Sequence, residues 1–115
     1  YRGIAAKLNY LALDRSDIQF AAKECCKRMS NPCKGDWERL KRVGRYLKGH
    51  KRMVQLFPWS KRSYELSGFG DSDWAGCRTT RKSTSGCVIE LLGCSLHAFS
   101  RTQGTIATSS GETEL

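Results

Sequence analysis

The sequence has no long apolar run, only two prolines and no cysteine pair of the C-x-x-C type. A membrane-spanning helix needs ~20 consecutive apolar residues, so we expect no membrane span, and no signal-peptide pattern opens the chain. The six cysteines include the adjacent Cys25 and Cys26, a spacing that suits neither a common disulfide nor a tetrahedral zinc site. We therefore expect reduced thiols that pack mostly as small buried hydrophobes.

Acidic residues are scarce in the first part of the chain. Residues 1–62 carry 16 Lys and Arg against 5 Asp and Glu, whereas residues 63–115 carry 4 against 6. A basic segment beside a mildly acidic one is typical of a polyanion-binding surface next to a cation-dependent site; a basic surface without a partner is the alternative. The length fits one domain, or one small domain and part of another. Because the chain starts at Tyr1 instead of Met, we expect a segment of a longer protein.

The spacing of apolar residues predicts helices first and strands later. The predicted helices cover residues 3–13, 17–29 and 36–48, with residues 14–17 able to cap the second. The predicted strands cover residues 53–57, 64–70, 86–92, 96–100 and 105–108. The third helix has a basic remainder, and the basic run continues beyond it. Its predicted buried stripe is formed by Trp37, Leu40, Val43, Gly44 and Leu47. Its candidate phosphate-binding residues are Lys41, Arg42, Arg45, Lys48, Lys51 and Arg52.

Two aspartates close the strand predicted over residues 64–70. Asp71 and Asp73 lie two residues apart, so an extended strand points both to one face, as carboxylates that hold a hard divalent cation often are. A plain strand-ending turn is the alternative reading of this Asp- and Gly-rich sequence. An EF-hand is excluded, because its fifth and twelfth positions would be Ala75 and Lys82 instead of oxygen ligands. A metal-dependent sugar-transfer enzyme also uses D-x-D, but 115 residues cannot supply its nucleotide-sugar domain.

A helix start near the end of the chain assigns two glutamates different roles. Ser109 and Glu112 match a capping box, in which the glutamate reaches back to the N-terminal backbone. Glu114 lies two residues further and faces another way on a helix, which leaves it free for a metal. His50 and His97 have no second ligand at metal spacing.

Several phrases together resemble one family. Asn9-Tyr10-Leu11-Ala12, residues 17–21 and residues 40–49 resemble the segment after the reverse transcriptase in copia-type LTR retrotransposon polyproteins. Asp71-x-Asp73-Trp74-Ala75-Gly76, residues 81–86 and Ser109-Ser110-x-Glu112-x-Glu114 resemble the ribonuclease H part of the same polyproteins. Ser16 and Leu115 depart from the family, which usually has Pro and Tyr there.

The resemblance implies an α/β (α+β) fold in which a helical connection precedes a truncated ribonuclease H-like mixed sheet. Residues 1–62 would be the helical end of the reverse transcriptase region, and residues 63–115 the N-terminal half of a ribonuclease H-like domain that begins with an antiparallel meander. Family members hydrolyse the RNA strand of RNA–DNA hybrids with two divalent ions held by four carboxylates. By position, Asp71 and Glu114 match the first two, Asp73 is a second-tier candidate, and the other two would lie downstream of Leu115.

The same resemblance implies cofactors, partners and a location. The cofactor would be two Mg²⁺ ions, with Mn²⁺ as a substitute, and the partners an RNA–DNA hybrid and the rest of the polyprotein, its reverse transcriptase and integrase. The location would be intracellular, in a cytoplasmic virus-like particle or the nucleus. We expect Arg78, Arg81 and Lys82 to hold the nucleic-acid backbone near the site, and the 115-residue segment alone to be inactive. The alternative is a non-catalytic nucleic-acid-binding connection module or a decayed retroelement fragment.

Overall fold

The computed structural model describes residues 1–57, 59 and 65–114. The chain divides into two compact units, Tyr1–Val54 and Gln55–Leu115. The domain boundary predicted between residues 62 and 63 lies outside the described residues. No helix in the described part of the chain combines the length and apolarity that a bilayer crossing requires.

The first unit is helical. Helix α1 spans Arg2–Leu11, a short 3-10 turn spans Ser16–Ile18, and helices α2 and α3 span Gln19–Cys26 and Lys34–Gly49. The observed second helix is therefore shorter than predicted, because the chain enters it through the 3-10 turn and forms only turns directly after Cys26.

The core of this unit is small and built from the predicted helix faces. Its buried residues are Leu8, Ala12, Ile18, Ala22, Cys25 and Leu40, with Val43 and Leu47 packed against them. The predicted stripe of α3 is confirmed at Leu40, whereas Gly44 is exposed and Trp37 packs edge-to-face on the Tyr1 ring at 5.6 Å. All six cysteines are free, but only Cys25 and Cys94 are buried, so the expectation of mostly buried thiols is met at two of the six.

Helix α3 begins two residues earlier than predicted. The backbone N–H of Cys33 donates to the Asp36 carboxylate at 2.9 Å, which completes a capping box with cysteine as the N-cap residue. This hydrogen bond, followed by the charge of Arg39, holds the pKa of the Asp36 carboxyl below its usual range. Sequence patterns favour Ser, Thr, Asp or Asn at an N-cap, so a cysteine cap is not recognisable from the sequence.

A buried arginine links the turn before α2 to the end of α3. Arg15 donates to both carboxylate oxygens of Asp17, at 2.9 and 2.7 Å, and to the carbonyl of His50 at 3.1 Å. The Tyr46 hydroxyl donates to the same carboxylate at 3.0 Å, and its ring stacks on His50 at 4.5 Å. Asp17 therefore pairs with Arg15 and caps no helix, which corrects the predicted cap. A charge-assisted bidentate pair of this kind fixes both orientation and position.

The second unit is a three-stranded antiparallel sheet with a short helix. Strands β1, β2 and β3 span Leu66–Asp73, Thr84–Leu91 and Cys94–Thr102, in the order β1-β2-β3, and helix α4 spans Ser110–Thr113. A tight turn joins β2 to β3, and Gly93 has the positive φ of 76° that this turn requires. The predicted meander and α+β class are confirmed.

Two predicted strands are wrong. Residues 53–57 have no strand structure, and neither have residues 105–108. Val54, Leu56 and Phe57 are 76, 79 and 62 % exposed. Their β-branched and apolar side chains favour a strand, but this segment pairs with no strand within the described residues.

The Arg15–Asp17 pair makes stability depend on pH. The hydrogen bond from Arg15 holds the pKa of Asp17 below its usual range. Its contribution is therefore fully present above the unfolded pKa of about 3.9 and is lost as the pH falls through the lower folded pKa. We expect the free energy of unfolding, measured in urea between pH 6 and pH 2.5, to fall less steeply in Asp17→Asn and in Arg15→Met than in the wild type. Parallel slopes in all three proteins would contradict this role.

Candidate active site

The two predicted aspartates lie on one face at the end of β1. Asp71 pairs with Gly86 and Asp73 with Thr84 across the antiparallel ladder, and alternation along the strand points both side chains the same way. Both residues are exposed. The sequence prediction of a shared face is confirmed, although both lie within the strand.

Asp73 is engaged by the turn that follows it. Its carboxylate accepts the backbone N–H of Thr84 and lies so close to Gly76 that a Cβ there would be 2.1 Å from Oδ2. No side chain larger than hydrogen fits beside this carboxylate without moving it. The Asp73 carboxylate therefore packs directly against the small-residue turn that follows β1.

The loop between β1 and β2 is held by backbone hydrogen bonds. The N–H of Ala75 donates to the fully buried Ser83 hydroxyl at 3.0 Å, and the N–H of Arg81 donates to the Cys77 carbonyl at 2.7 Å. Ala75 and Arg81 have the left-handed φ values of 51° and 57°, which cost free energy in residues other than glycine. The loop therefore has a defined shape.

Helix α4 is capped as the sequence predicts, with one change of partner. The Ser109 hydroxyl accepts the N–H of Glu112 at 3.3 Å. The Glu112 carboxylate reaches one residue further than a standard capping box, to the N–H and hydroxyl of Thr108 at 2.6 and 2.7 Å. These hydrogen bonds lower the pKa of Glu112. Glu112 is therefore occupied, while Glu114 follows as the exposed C-cap residue of the helix.

One side-chain hydrogen bond joins α4 to β1. The Ser72 hydroxyl donates to Thr113 Oγ1 at 3.0 Å, so each candidate ligand, Asp71 and Glu114, is the sequence neighbour of a bonded residue. Asp71 projects from the face opposite to Ser72. Within residues 1–57, 59 and 65–114, no cluster of three or more His, Cys, Asp or Glu side chains could hold a metal ion.

The predicted basic residues fall into two groups. In the loop, Arg78 and Arg81 are exposed, whereas Lys82 is half-buried and donates from Nζ to the Gly104 carbonyl at 2.6 Å. Lys82 is thus used within the fold. The second group is exposed on α3 or directly after it: Lys41, Arg42, Arg45, Lys48, Lys51 and Arg52.

In the second group, one lysine has an acidic partner. Lys41 pairs with Glu38 at 2.8 Å, with both side chains 60 % exposed. A surface pair of this kind is weak, so it leaves the basic character of the face largely intact.

Comparisons of the sequence with known proteins find several relatives. The chain is 42 % identical over 115 residues to the uncharacterized mitochondrial protein AtMg00810 of Arabidopsis thaliana, across 99 % of this chain and 47 % of that protein. It is 34 % identical over 114 residues to the retrovirus-related Pol polyprotein from transposon RE2 of the same plant, across 99 % of this chain and 8 % of the polyprotein. It is also 34 % identical over 111 residues to the secreted RxLR effector protein 161 of Plasmopara viticola, across 96 % of this chain and 78 % of that protein. These relatives support a fragment related to retrotransposon Pol polyproteins and AtMg00810-like proteins.

This family relationship extends over almost the whole chain and includes both units. The chain spans about half of AtMg00810 and less than a tenth of the RE2 polyprotein. No protein-family model and no solved structure matches it. The retrotransposon polyprotein origin expected from the sequence motifs is therefore confirmed at the level of the family.

The sequence patterns do not identify the residues that hold the two acidic segments in place. The Trp74 indole donates to the Ala107 carbonyl at 3.2 Å, and Gln103 bonds to β2 and α4. Thr113 is 4 % exposed and lies between Ser72 and Gln103. Their polar character carries no periodic signal, because their partners are mostly backbone carbonyls distant in sequence.

The contact between Asp73 and Gly76 yields a prediction. Gly76→Ala should displace the Asp73 carboxylate and break its hydrogen bond to Thr84, at a cost of about 1 kcal/mol. Gly70→Ala is the matched control, because a Cβ at Gly70 meets nothing within 4 Å. Amide hydrogen exchange at Thr84 should accelerate in Gly76→Ala and not in the control. Equal protection in both variants would show that Asp73 does not hold this turn.

Proposed function

We propose that the chain is a segment of a copia-type Pol polyprotein and that its second unit is the N-terminal part of a ribonuclease H-like domain. In this proposal the complete domain hydrolyses the RNA strand of RNA–DNA hybrids. The observation that carries the proposal is the attachment of α4 to the end of β1 through Ser72 and Thr113, since it joins the two elements that bear Asp71 and Glu114. The end-to-end similarity to a transposon Pol polyprotein supports it.

The candidate ligands have the chemistry that Mg²⁺ requires. Mg²⁺ prefers hard oxygen ligands and keeps several waters, and the exposed carboxylates of Asp71 and Glu114 offer such oxygens with room for water. Mg²⁺ held there would supply Lewis-acid activation of the attacking water and charge stabilisation at the leaving oxygen of the phosphodiester. Asp71 and Glu114 hold one side of the site, and the two further carboxylates come from elsewhere in the longer polyprotein.

Asp71 and Ser72 point to opposite faces of the sheet, so Asp71 and Glu114 would have to meet around the end of β1 to share a cation. Without a cation the two carboxylates repel each other. Asp73 is left out of the primary ligand set, because its carboxylate already accepts the Thr84 N–H.

The basic residues supply the contact with the nucleic acid. In the proposal, Arg42, Arg45 and Lys48 on α3 bind phosphates, while Arg78 and Arg81 hold the backbone near the acidic residues. RNA is distinguished from DNA through its 2′-hydroxyl and the groove shape of the hybrid. Phosphate contacts of this kind make binding salt-dependent.

A second candidate function is a non-catalytic nucleic-acid-binding module. It is favoured by the exposed basic face of α3 and by the lack of a cluster of three metal-binding side chains among the described residues. The two candidates differ in one respect, since both bind a hybrid but only the enzyme cleaves it.

Cleavage by the parent polyprotein tests the enzyme. With Mg²⁺ and a labelled RNA–DNA hybrid, Asp71→Asn and Glu114→Gln should each lower the cleavage rate by at least about 100-fold, because loss of even an outer-shell partner of a metal ligand costs about 10–100-fold. Asp14→Asn, on the exposed turn after α1, is the charge-matched control. Polymerase activity measured on the same preparations reports folding. Unchanged cleavage in both site variants would overturn the assignment, and hybrid binding without cleavage in the wild type would favour the binding module.

The salt dependence of hybrid binding tests the basic face. Arg42→Gln combined with Arg45→Gln should lower affinity and reduce the slope of log K against log salt by about one for each phosphate that is no longer neutralised. Lys7→Gln combined with Arg28→Gln removes the same charge from other exposed positions of the first unit and should leave more of the slope. If both double variants behave alike, only net charge matters and the α3 assignment fails.

A further inference from the structure

Gln103 makes hydrogen bonds to two different elements of the second unit. It follows β3 directly, and its backbone N–H donates to the Ser83 carbonyl at 2.8 Å. Its side-chain amide Nε2 donates to the Ser85 hydroxyl at 2.9 Å and to the Thr113 carbonyl at 2.7 Å. One residue thereby connects the start of β2 with the end of α4.

The orientation of the Gln103 amide follows from its partners. A backbone carbonyl only accepts hydrogen bonds, so the group that faces Thr113 must be the NH₂. The Ser85 hydroxyl can accept from the second hydrogen of the same NH₂. Both donors of Nε2 are therefore used, and the side chain has a single arrangement that satisfies them.

The bond to Thr113 acts on the peptide that leads to Glu114. The Thr113 carbonyl and the Glu114 nitrogen share one planar unit, so fixing the carbonyl fixes the direction in which the chain enters Glu114. The Thr113 side chain is anchored separately, since Oγ1 accepts from Ser72 at 3.0 Å and donates to the Ser110 carbonyl. A helix of four residues is too short to hold its own shape, so these outside contacts determine its position.

We propose that Gln103 is a positioning residue that orients Glu114 toward the end of β1. The inference rests on the proposed function for the identity of the site, but the ordering of Glu114 by Gln103 can be measured without metal or nucleic acid. Gln103 contacts neither ion nor substrate in this account; it acts through the Thr113–Glu114 peptide.

Two substitutions distinguish a role of Gln103 in positioning Glu114 from a role in the stability of the whole fold. Gln103→Met keeps the length of the side chain and removes its hydrogen bonds. Gln103→Glu keeps the shape but turns an oxygen toward the Thr113 carbonyl. Gln55→Met is the matched control at an exposed glutamine of the same unit.

The measurement is ¹⁵N relaxation on the 115-residue chain. In Gln103→Met and Gln103→Glu, the order parameter of the Glu114 amide should fall from the rigid range of about 0.85 to below about 0.6, while Val88 in the centre of β2 and the whole control variant stay rigid. Unchanged order at Glu114 would overturn the inference. Loss of order at Val88 in both variants would also overturn it, because Gln103 would then hold the sheet as a whole.

A second readout uses Mn²⁺ as the probe. In the wild type, paramagnetic broadening should affect the amides of Asp71 and Glu114 together, and in Gln103→Met it should persist at Asp71 and weaken at Glu114. Broadening retained at both residues in the variant would count against positioning. If the wild type shows broadening at neither residue while Gln103→Met still loosens Glu114, the metal site of the proposed function fails and the role of Gln103 stands.

Discussion

The hydrogen bond between the Ser72 and Thr113 side chains is the contact on which the candidate site depends. It joins the acidic strand to the four-residue helix α4, whose end the amide of Gln103 also holds. A helix this short needs such contacts from outside. Thr113 is 4 % exposed, so water competes little for its hydroxyl, and a buried polar group without its partner would be costly. Asp71 precedes Ser72 and Glu114 follows Thr113, so these two hydrogen bonds act on the chain next to both candidate ligands.

The two units of the chain carry different chemistry. The helical unit has a small apolar core, a buried arginine held by Asp17, and a third helix whose outer face is basic. The sheet unit is close to neutral, with 6 Lys and Arg against 6 Asp and Glu, and its first strand ends in two exposed aspartates. A positively charged surface attracts nucleic acid at long range. Carboxylates close to phosphate repel it unless a cation lies between them. The basic helical unit fits both proposed functions, because the enzyme and the binding module each need a surface for nucleic acid.

Periodic features of the fold could be predicted from the sequence, and contacts between distant residues could not. The stripe through Leu40, the meander of three strands and the Ser109 cap follow from local spacing and were confirmed. The strand predicted over residues 53–57 was wrong, because an apolar composition does not specify a pairing partner. The sequence predicts that residues 14–17 cap a helix, whereas Asp17 pairs with Arg15. The Asp73 carboxylate accepts the backbone N–H of Thr84, a contact that only the folded turn creates.

The most direct test of the account is a crystal structure of the chain grown with Mn²⁺, with the ion located by its anomalous scattering. We expect one ion bound by oxygens of both Asp71 and Glu114, at the roughly 2.1 Å expected for a hard divalent cation of this class. Carboxylates that point away from each other, with no ion shared between them, would contradict it.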